Sequence, residues 1–252
     1  MTTPDGLVEL LLVRHGQSTG NVASAAAEEG GLERIDIDLR DADVPLSGTG
    51  RDQARALGRW LRDLDEEETP THLVVSPYVR AQETAQLAVE ESGLDLRLRT
   101  DERIRDRELG VLDLLSAAGV RARFPEEDER RAWVGKFYYR PPGGESWADM
   151  ALRVRSFLGD LERESDGSPR RALVVCHDAV IMLFRYVCEE MTEQEVLEHA
   201  RTRSVTNASV TRLRRSTDPD GPRWVADLVS AQEHLETHGA TATDQTGSAD
   251  VG

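Results

Sequence analysis

Short apolar runs bounded by polar residues alternate with helical patterns along most of the chain. Residues 7–13 form an apolar run that predicts a buried strand stopping at Arg14-His15-Gly16. Residues 47–64 change to a helical period. Ala54, Leu57, Trp60, Leu61 and Leu64 share one face, and Ser47 can cap the first turn. Pro70 closes the next loop, and residues 71–75 predict a second strand ending at Ser76-Pro77. Pro77 sits where a helix can start; that helix runs to residue 92, and a short strand follows at 96–99.

Residues 101–145 are irregular and rich in Arg, Asp and Glu, with helical pieces near 114–124 and 127–133 and a PPGG turn at 141–144. Ser146 with Asp149 makes a capping-box pattern in which Asp replaces the usual Glu or Gln. The helix it opens carries Leu152, Val154, Phe157, Leu158 and Leu161. Residues 171–176 predict a third core strand, and 179–188 a helix. Thr192 with Glu195 caps another, and residues 208–213 and 223–229 alternate like antiparallel edge strands. This order predicts an α/β three-layer sandwich: a mostly parallel central sheet with an antiparallel edge and helices on both faces. One domain is expected over residues 1–231. Residues 232–252 are nearly free of large apolar side chains and read as a disordered tail.

Composition adds constraints. Of 252 residues, 31 are basic and 47 acidic, a formal charge of −16. That balance disfavours nucleic acid and anionic membrane as bulk partners. Lys136 is the sole lysine, so nearly all positive charge is Arg, whose planar fork suits phosphate or carboxylate. Cys176 and Cys188 lie in apolar runs and read as buried thiols. The apolar stretch near the N-terminus has no basic region before it and is too short to span a membrane. The expected location is cytoplasmic, and the pattern says nothing about oligomeric state.

The chemistry gathers where the strands end. The first ends in Arg14-His15, the third in His177-Asp178, and Arg80 follows the second within a helical turn. In an open α/β sheet, ligands bind at the carboxyl ends of the strands. Were these strands neighbours, two His and two Arg would converge on one pocket. A neutral imidazole can attack phosphorus, and guanidinium forks can hold the equatorial oxygens of the transferring group.

These residues carry a family resemblance. Residues 12–21, LVRHGQSTGN, look like the signature of the histidine phosphatase superfamily, which includes cofactor-dependent phosphoglycerate mutases. The stretches SPYVRAQETA at 76–85, PGGES at 142–146 and VVCHD at 174–178 resemble its later motifs, in order. The resemblance implies His15 as nucleophile and Arg14, Arg80 and His177 as phosphoryl ligands. Asn21 would be a further phosphate contact, and Ser18 and Asp178 pocket residues. It implies neither metal nor organic cofactor, and a small phosphate ester as the molecule bound.

Two departures stand out. Asp106 occupies the place where the family usually has a Glu proton donor, which leaves Asp106, Glu108 and Asp178 as candidates for the acid. Arg105 and Arg107 would depress a carboxyl pKa there if they lay close. Mutases of the family carry an Arg pair after a Trp, whereas Trp133 is followed here by Val134-Gly135-Lys136. Phe137, Tyr138 and Tyr139 are candidate pocket walls, and the acidic stretch 23–44 is either a flap or a solvated loop. The expected activity is phosphomonoester hydrolysis through a phosphohistidine on His15. The alternatives are a 2,3-bisphosphoglycerate-dependent mutase and a catalytically weak phospholigand-binding protein.

Overall fold

The computed structural model describes residues 6–164, 167–202 and 205–244. In chain order the elements are β1 (Gly6–Arg14), α1 (Thr19–Glu29), α2 (Gly48–Arg62), β2 (His72–Val75), α3 (Val79–Ser92) and β3 (Leu98–Thr100). They continue with α4 (Ala117–Arg123), α5 (Pro125–Val134), α6 (Trp147–Arg163), β4 (Pro169–Cys176) and α7 (Asp178–Cys188). The last are α8 (Glu193–Thr202), β5 (Val210–Arg215), β6 (Trp224–Ala231) and α9 (Glu233–Thr237). One sheet runs in the order β3-β2-β4-β1-β5-β6. Its first four strands are mutually parallel, and β5 and β6 form the antiparallel edge.

The apolar runs of β1 and β4 are continuous because both faces of those strands are covered. Successive side chains alternate between faces. Leu10, Leu12, Val174 and Cys176 join a core built with Phe157, Val180 and Phe184 of α6 and α7. Leu11, Val13, Leu173 and Val175 point the other way and pack with Leu57, Leu61, Ala81 and Ala85 of α2 and α3. Truncating one of these leucines to Ala leaves a void costing about 2–5 kcal/mol. Ser47 caps α2 by accepting the Gly50 N–H, and the Ser146–Asp149 capping box opens α6. Both cysteines are buried and unbridged. No helix of the described residues is long and apolar enough to cross a membrane.

Two segments differ from expectation. The stretch 23–44 is not one loop. Its first part belongs to α1, which the Ala-rich sequence hid because its apolar periodicity is weak, and its end lies against Arg80. The tail expected from residue 232 is ordered as far as residue 244. Within it Leu235 is fully buried and packs with Ala56, Ala208 and Ala240. Small partner side chains let one leucine close that contact, which composition alone did not show. Residues 245–252 of the expected tail lie outside the described residues.

Candidate active site

Register brings the strand ends to one level. Arg14 pairs with Cys176 across β1 and β4, and Val75 pairs with Val175 across β2 and β4. The His15 N–H donates to the Cys176 carbonyl at 3.0 Å, and the Ser76 N–H to the Val175 carbonyl at 2.9 Å. His15, Ser76 and His177 therefore leave three adjacent strands together. The His15 and His177 rings meet edge to face, with centroids 5.1 Å apart. Asp106 enters from the loop that follows β3. Its Oδ2 lies 2.7 Å from Arg80 Nη2 and 3.0 Å from His177 Nδ1. One side-chain atom from each of His15, Asp106 and His177 lies within 4.8 Å of the others.

His15 Nδ1 lies 2.7 Å from the Gly16 carbonyl. A carbonyl can only accept, so Nδ1 holds the proton and Nε2 keeps its lone pair. Burial, then the charges of Arg80, His177 and Arg14, hold the His15 pKa well below the ordinary histidine value. The ring is neutral at pH 7. Its burial follows from two glycines: a Cβ on Gly50 would stand 2.0 Å from the Gln17 carbonyl, and one on Gly16 2.5 Å from the Gly50 carbonyl. The GTG at 48–50 thus serves close packing of α2 against the His15 loop.

His177 is fully buried, with Nε2 2.8 Å from Ser76 Oγ. Ser76 Oγ also accepts the Tyr78 N–H. His177 Nδ1 faces Asp106 at ion-pair distance but off hydrogen-bond alignment, and a proton on Nδ1 makes the Ser76 hydroxyl the donor to Nε2. Burial lowers the His177 pKa, against the opposing pull of Asp106. Burial alone would raise the Asp106 carboxyl. His177, Arg80 and His15 outweigh it and hold that carboxyl well below the usual range.

Arg80 is buried and fully engaged. Nη1 and Nη2 donate to Asp41 Oδ1 and Oδ2 at 3.0 and 3.1 Å, Nη1 also to the Asp41 carbonyl at 2.6 Å, and Nη2 to Asp106. Tyr78 lies beneath, its ring centroid 4.9 Å from the Arg80 guanidinium carbon and 5.2 Å from the His177 ring. Arg14 is buried, and its Nη1 donates to the Val205 carbonyl.

Of the three acid candidates, Asp106 reaches the two histidines. Glu108 stands one layer out, accepting the Tyr78 hydroxyl at 3.1 Å, with its side chain half exposed. Asp178 lies outside the cluster and accepts the Ala179 N–H at the start of α7. Arg105 and Arg107 turn away from Asp106. Arg105 pairs with Glu145 at 2.7 Å, and Arg107 donates to the Glu145 and Tyr139 carbonyls. The groups that lower the Asp106 carboxyl are His177, Arg80 and His15.

Arg153, paired with Glu145, donates to the carbonyls of Arg103, Arg105 and Asp106 and so holds this segment's backbone. Gly110 follows at φ +57°, where a Cβ would stand 2.1 Å from the Pro142 carbonyl, so the PPGG turn packs against the acid segment.

Ser18 and Asn21 form a capping box on α1: Asn21 Oδ1 accepts the Ser18 N–H, and the Asn21 N–H donates to Ser18 Oγ, each at 3.0 Å. The box uses the Asn21 oxygen and leaves Nδ2 as the donor suited to an anion. Phe137 and Tyr139 are buried in cores rather than joining the His15 cluster, and Tyr138 bonds Glu193. Lys136 Nζ sits 5.2 Å from the Trp147 ring centroid, and Trp133 is 88% exposed. The donor set His15–Asp106–His177 fits a divalent cation poorly, because Arg80 already binds Asp106 and Arg14 acts on His15.

Residue patterns missed Asp41, Tyr78, Gln53 and Asn207. Gln53 Oε1 accepts the Gln17 N–H at 2.8 Å, and Asn207 Nδ2 donates to the His15 carbonyl at 3.2 Å. Gln53 carried a usable signal, being a polar residue beside the apolar stripe of α2 and fully buried.

The arrangement matches known proteins. The family model of the histidine phosphatase superfamily (branch 1) matches residues 10–227. A probable phosphoglycerate mutase of an Enterobacter species is 28% identical over 91% of this chain and 96% of its own. A 2,3-bisphosphoglycerate-dependent phosphoglycerate mutase of Azorhizobium caulinodans is 31% identical over 75% of this chain and 85% of its own. Among solved structures, a mycobacterial glucosyl-3-phosphoglycerate phosphatase in complex with VO3 superposes with a TM-score of 0.67 at 29% identity. It covers 89% of this chain and 100% of its own. With such a match over most of its length, the chain belongs to branch 1 of the histidine phosphatase superfamily, a family of phosphoryl-transfer enzymes.

Proposed function

We propose that this chain is a phosphomonoesterase that works through a phosphohistidine on His15. The observation that carries the reading is the bond from His15 Nδ1 to the Gly16 carbonyl. It leaves Nε2 with its lone pair, in a ring that stands among Asp106, Arg80 and His177. In the first step Nε2 attacks phosphorus, a P–N bond forms and the ester P–O bond breaks. Asp106, protonated, gives its proton to the leaving oxygen. In the second step the Asp106 carboxylate takes a proton from water. The water oxygen bonds phosphorus, the P–N bond breaks and inorganic phosphate leaves. Arg14, Arg80 and His177 hold the phosphoryl oxygens, where charge spreads in the transition state, and Asn21 Nδ2 adds a neutral donor.

Asp106 is ionised while Arg80 and His177 face it. A phosphoryl dianion that takes over Arg80 removes a favourable partner and adds a like charge. Both raise the carboxyl pKa toward the value an acid needs. The same dianion must displace Asp41 from the Arg80 fork.

The structural relative that is a glucosyl-3-phosphoglycerate phosphatase supports hydrolysis. The mutase reading draws on the names of the 28% and 31% identical relatives. Against it, Trp133 is followed by Val134-Gly135-Lys136 in place of the mutase Arg pair, and the Lys136 ammonium faces the Trp147 ring. The test is turnover in excess chelator with para-nitrophenyl phosphate, sugar phosphates and phosphorylated glycerates. A coupled mutase assay primed with 2,3-bisphosphoglycerate runs beside it. Phosphate release that His15→Ala abolishes, without mutase flux, is expected. Mutase flux exceeding phosphate release contradicts the proposal. Phosphate binding with wild-type turnover no better than that of His15→Ala identifies a binding protein instead.

A further inference from the structure

A neutral network runs from the backbone of the His15 loop to the C-terminal segment. The Gln17 N–H donates to Gln53 Oε1 at 2.8 Å. Gln53 Nε2 in turn donates to the Thr241 carbonyl at 2.8 Å and to Thr243 Oγ1 at 2.9 Å. Asn207 Nδ2 donates to the His15 carbonyl at 3.2 Å and to Asn21 Oδ1 at 3.4 Å. Asn207 Oδ1 accepts the Thr243 hydroxyl at 3.1 Å, and the Asn207 N–H donates to the Thr243 carbonyl at 3.1 Å. One side chain therefore closes both branches of the network.

The chemistry of the hydroxyl makes this more than adjacency. A threonine hydroxyl has one proton to give and lone pairs to receive. Here the proton goes to Asn207 and a lone pair takes the Gln53 amide. A carboxamide has a donor end and an acceptor end, so fixing one end fixes the other. Thr243, together with the Thr241 carbonyl, thus turns the Gln53 oxygen toward Gln17, and Thr243 turns the Asn207 nitrogen toward His15. Both amides are fully buried, where a flipped orientation would leave polar atoms unpaired.

The segment is anchored independently. Leu235 and Ala240 pack with Ala56 and Ala208, Arg59 donates to the His238 carbonyl, and His234 Nε2 lies 3.0 Å from the Ala208 carbonyl. Ala208 holds a left-handed φ of +56° and donates its N–H to the Arg14 and His15 carbonyls. A buried non-glycine residue keeps that conformation only where its surroundings enforce it.

We infer that residues 240–244 are a strap whose Thr243 hydroxyl is a positioning residue for His15, acting through Asn207 and Gln53. This rests on the reading of His15 as the nucleophile. Thr243 touches neither substrate nor the reacting atoms, so its role is to hold Nε2 in line with phosphorus, where small displacements cost large factors.

The test compares full-length wild type, Thr243→Val, Thr243→Ser and a chain lacking residues 241–252. Folding is checked by circular dichroism and Tm. Single-turnover phosphoenzyme formation is read by rapid quench, and exchange of the Gly16 and Gln17 amides by mass spectrometry. Thr243→Val is expected to lower kcat and the phosphorylation rate about tenfold with KM within about twofold. Amide exchange in the loop should be faster, and Thr243→Ser should restore all of these. The truncated chain should match or exceed the Val defect. Wild-type rates in Thr243→Val or in the truncated chain overturn the proposal. So does a Val defect that Ser fails to rescue, because the hydroxyl is then not the cause. Should Thr243→Val not fold, the truncated chain and the Ser variant decide. A wild type without any turnover overturns the functional reading instead, and the two failures are distinct.

Discussion

The two sides of the His15 loop are built from different materials. The front carries Arg14, Arg80, His177, Asp106 and Asp41, whose ion pairs include bonds a phosphoryl group must exchange. The back carries Gln17, Gln53, Asn207 and Thr243, joined by neutral hydrogen bonds. Charges in front can be repartnered as charge moves during reaction. Amides behind cannot titrate and hold one geometry throughout. The difference separates groups expected to set the barrier and the pH dependence from groups expected to set alignment alone.

The largest expected effect breaks the front. Asp106→Asn keeps the shape of the side chain but cannot deliver or accept the proton. It should lower kcat about 10²- to 10³-fold on alkyl phosphates. The loss should be smaller on para-nitrophenyl phosphate, whose leaving phenolate needs little protonation. Equal losses on both substrates, measured side by side, would show that Asp106 serves binding rather than proton transfer.

Asp41 sharpens the comparison in the opposite direction. Its carboxylate competes with phosphate for the Arg80 fork. Asp41→Asn should tighten inorganic phosphate binding, measured by calorimetry, about three- to tenfold, the scale of one partly exposed charge pair. Weaker binding would mean that Asp41 holds Arg80 in place rather than blocking it.

The effect expected at the back appears as stability rather than as rate or affinity. Burial, above all, takes the His234 pKa down to about 4, below its ordinary 6.5. The unfolded chain binds that proton more readily than the folded one. The stabilising contribution is therefore complete above pH 6.5 and is lost as pH falls toward 4, on the order of 2–3 kcal/mol. His15 and His177, also depressed, act in the same sense. His234→Gln keeps a donor for Ala208 without a titration, so Tm in that variant should fall less between pH 6.5 and 4. An unchanged slope would remove His234 from the acid sensitivity of the strap.

Much of the front was legible in sequence because its signals are local. A strand buried on both faces must read as an apolar run, and polar residues at its end stand out. Arg14, His15 and His177 were found this way, and Arg80 by its place one turn into a helix. Asp106 was legible through motif position, although its partners Arg80 and His177 are not its neighbours in sequence. Asp41 was invisible among the other acids of an acidic stretch, since nothing local marks the one that meets a buried guanidinium. The back was less legible still. Its contacts join residues far apart, such as Gln53 with Thr243 and Asn207 with His15, and its anchoring leucine packs on alanines. Phe137 and Tyr139 show the converse: aromatics near a site look like walls until packing places them in the core.

The formal charge of −16 also acquires a location. Two of the acids sit on Arg80 itself, so the chain's own carboxylates occupy the cation proposed to hold a phosphate ester.

The central claim is that His15 Nε2 becomes phosphorylated. Incubation with a radiolabelled phosphate ester, a rapid quench into alkali and mapping of the labelled peptide tests it directly. The expected result is label on the peptide containing His15, stable in base, released in acid, and absent from His15→Ala. Turnover with no labelled intermediate on a millisecond quench, or acid-stable label on another residue, would contradict the account.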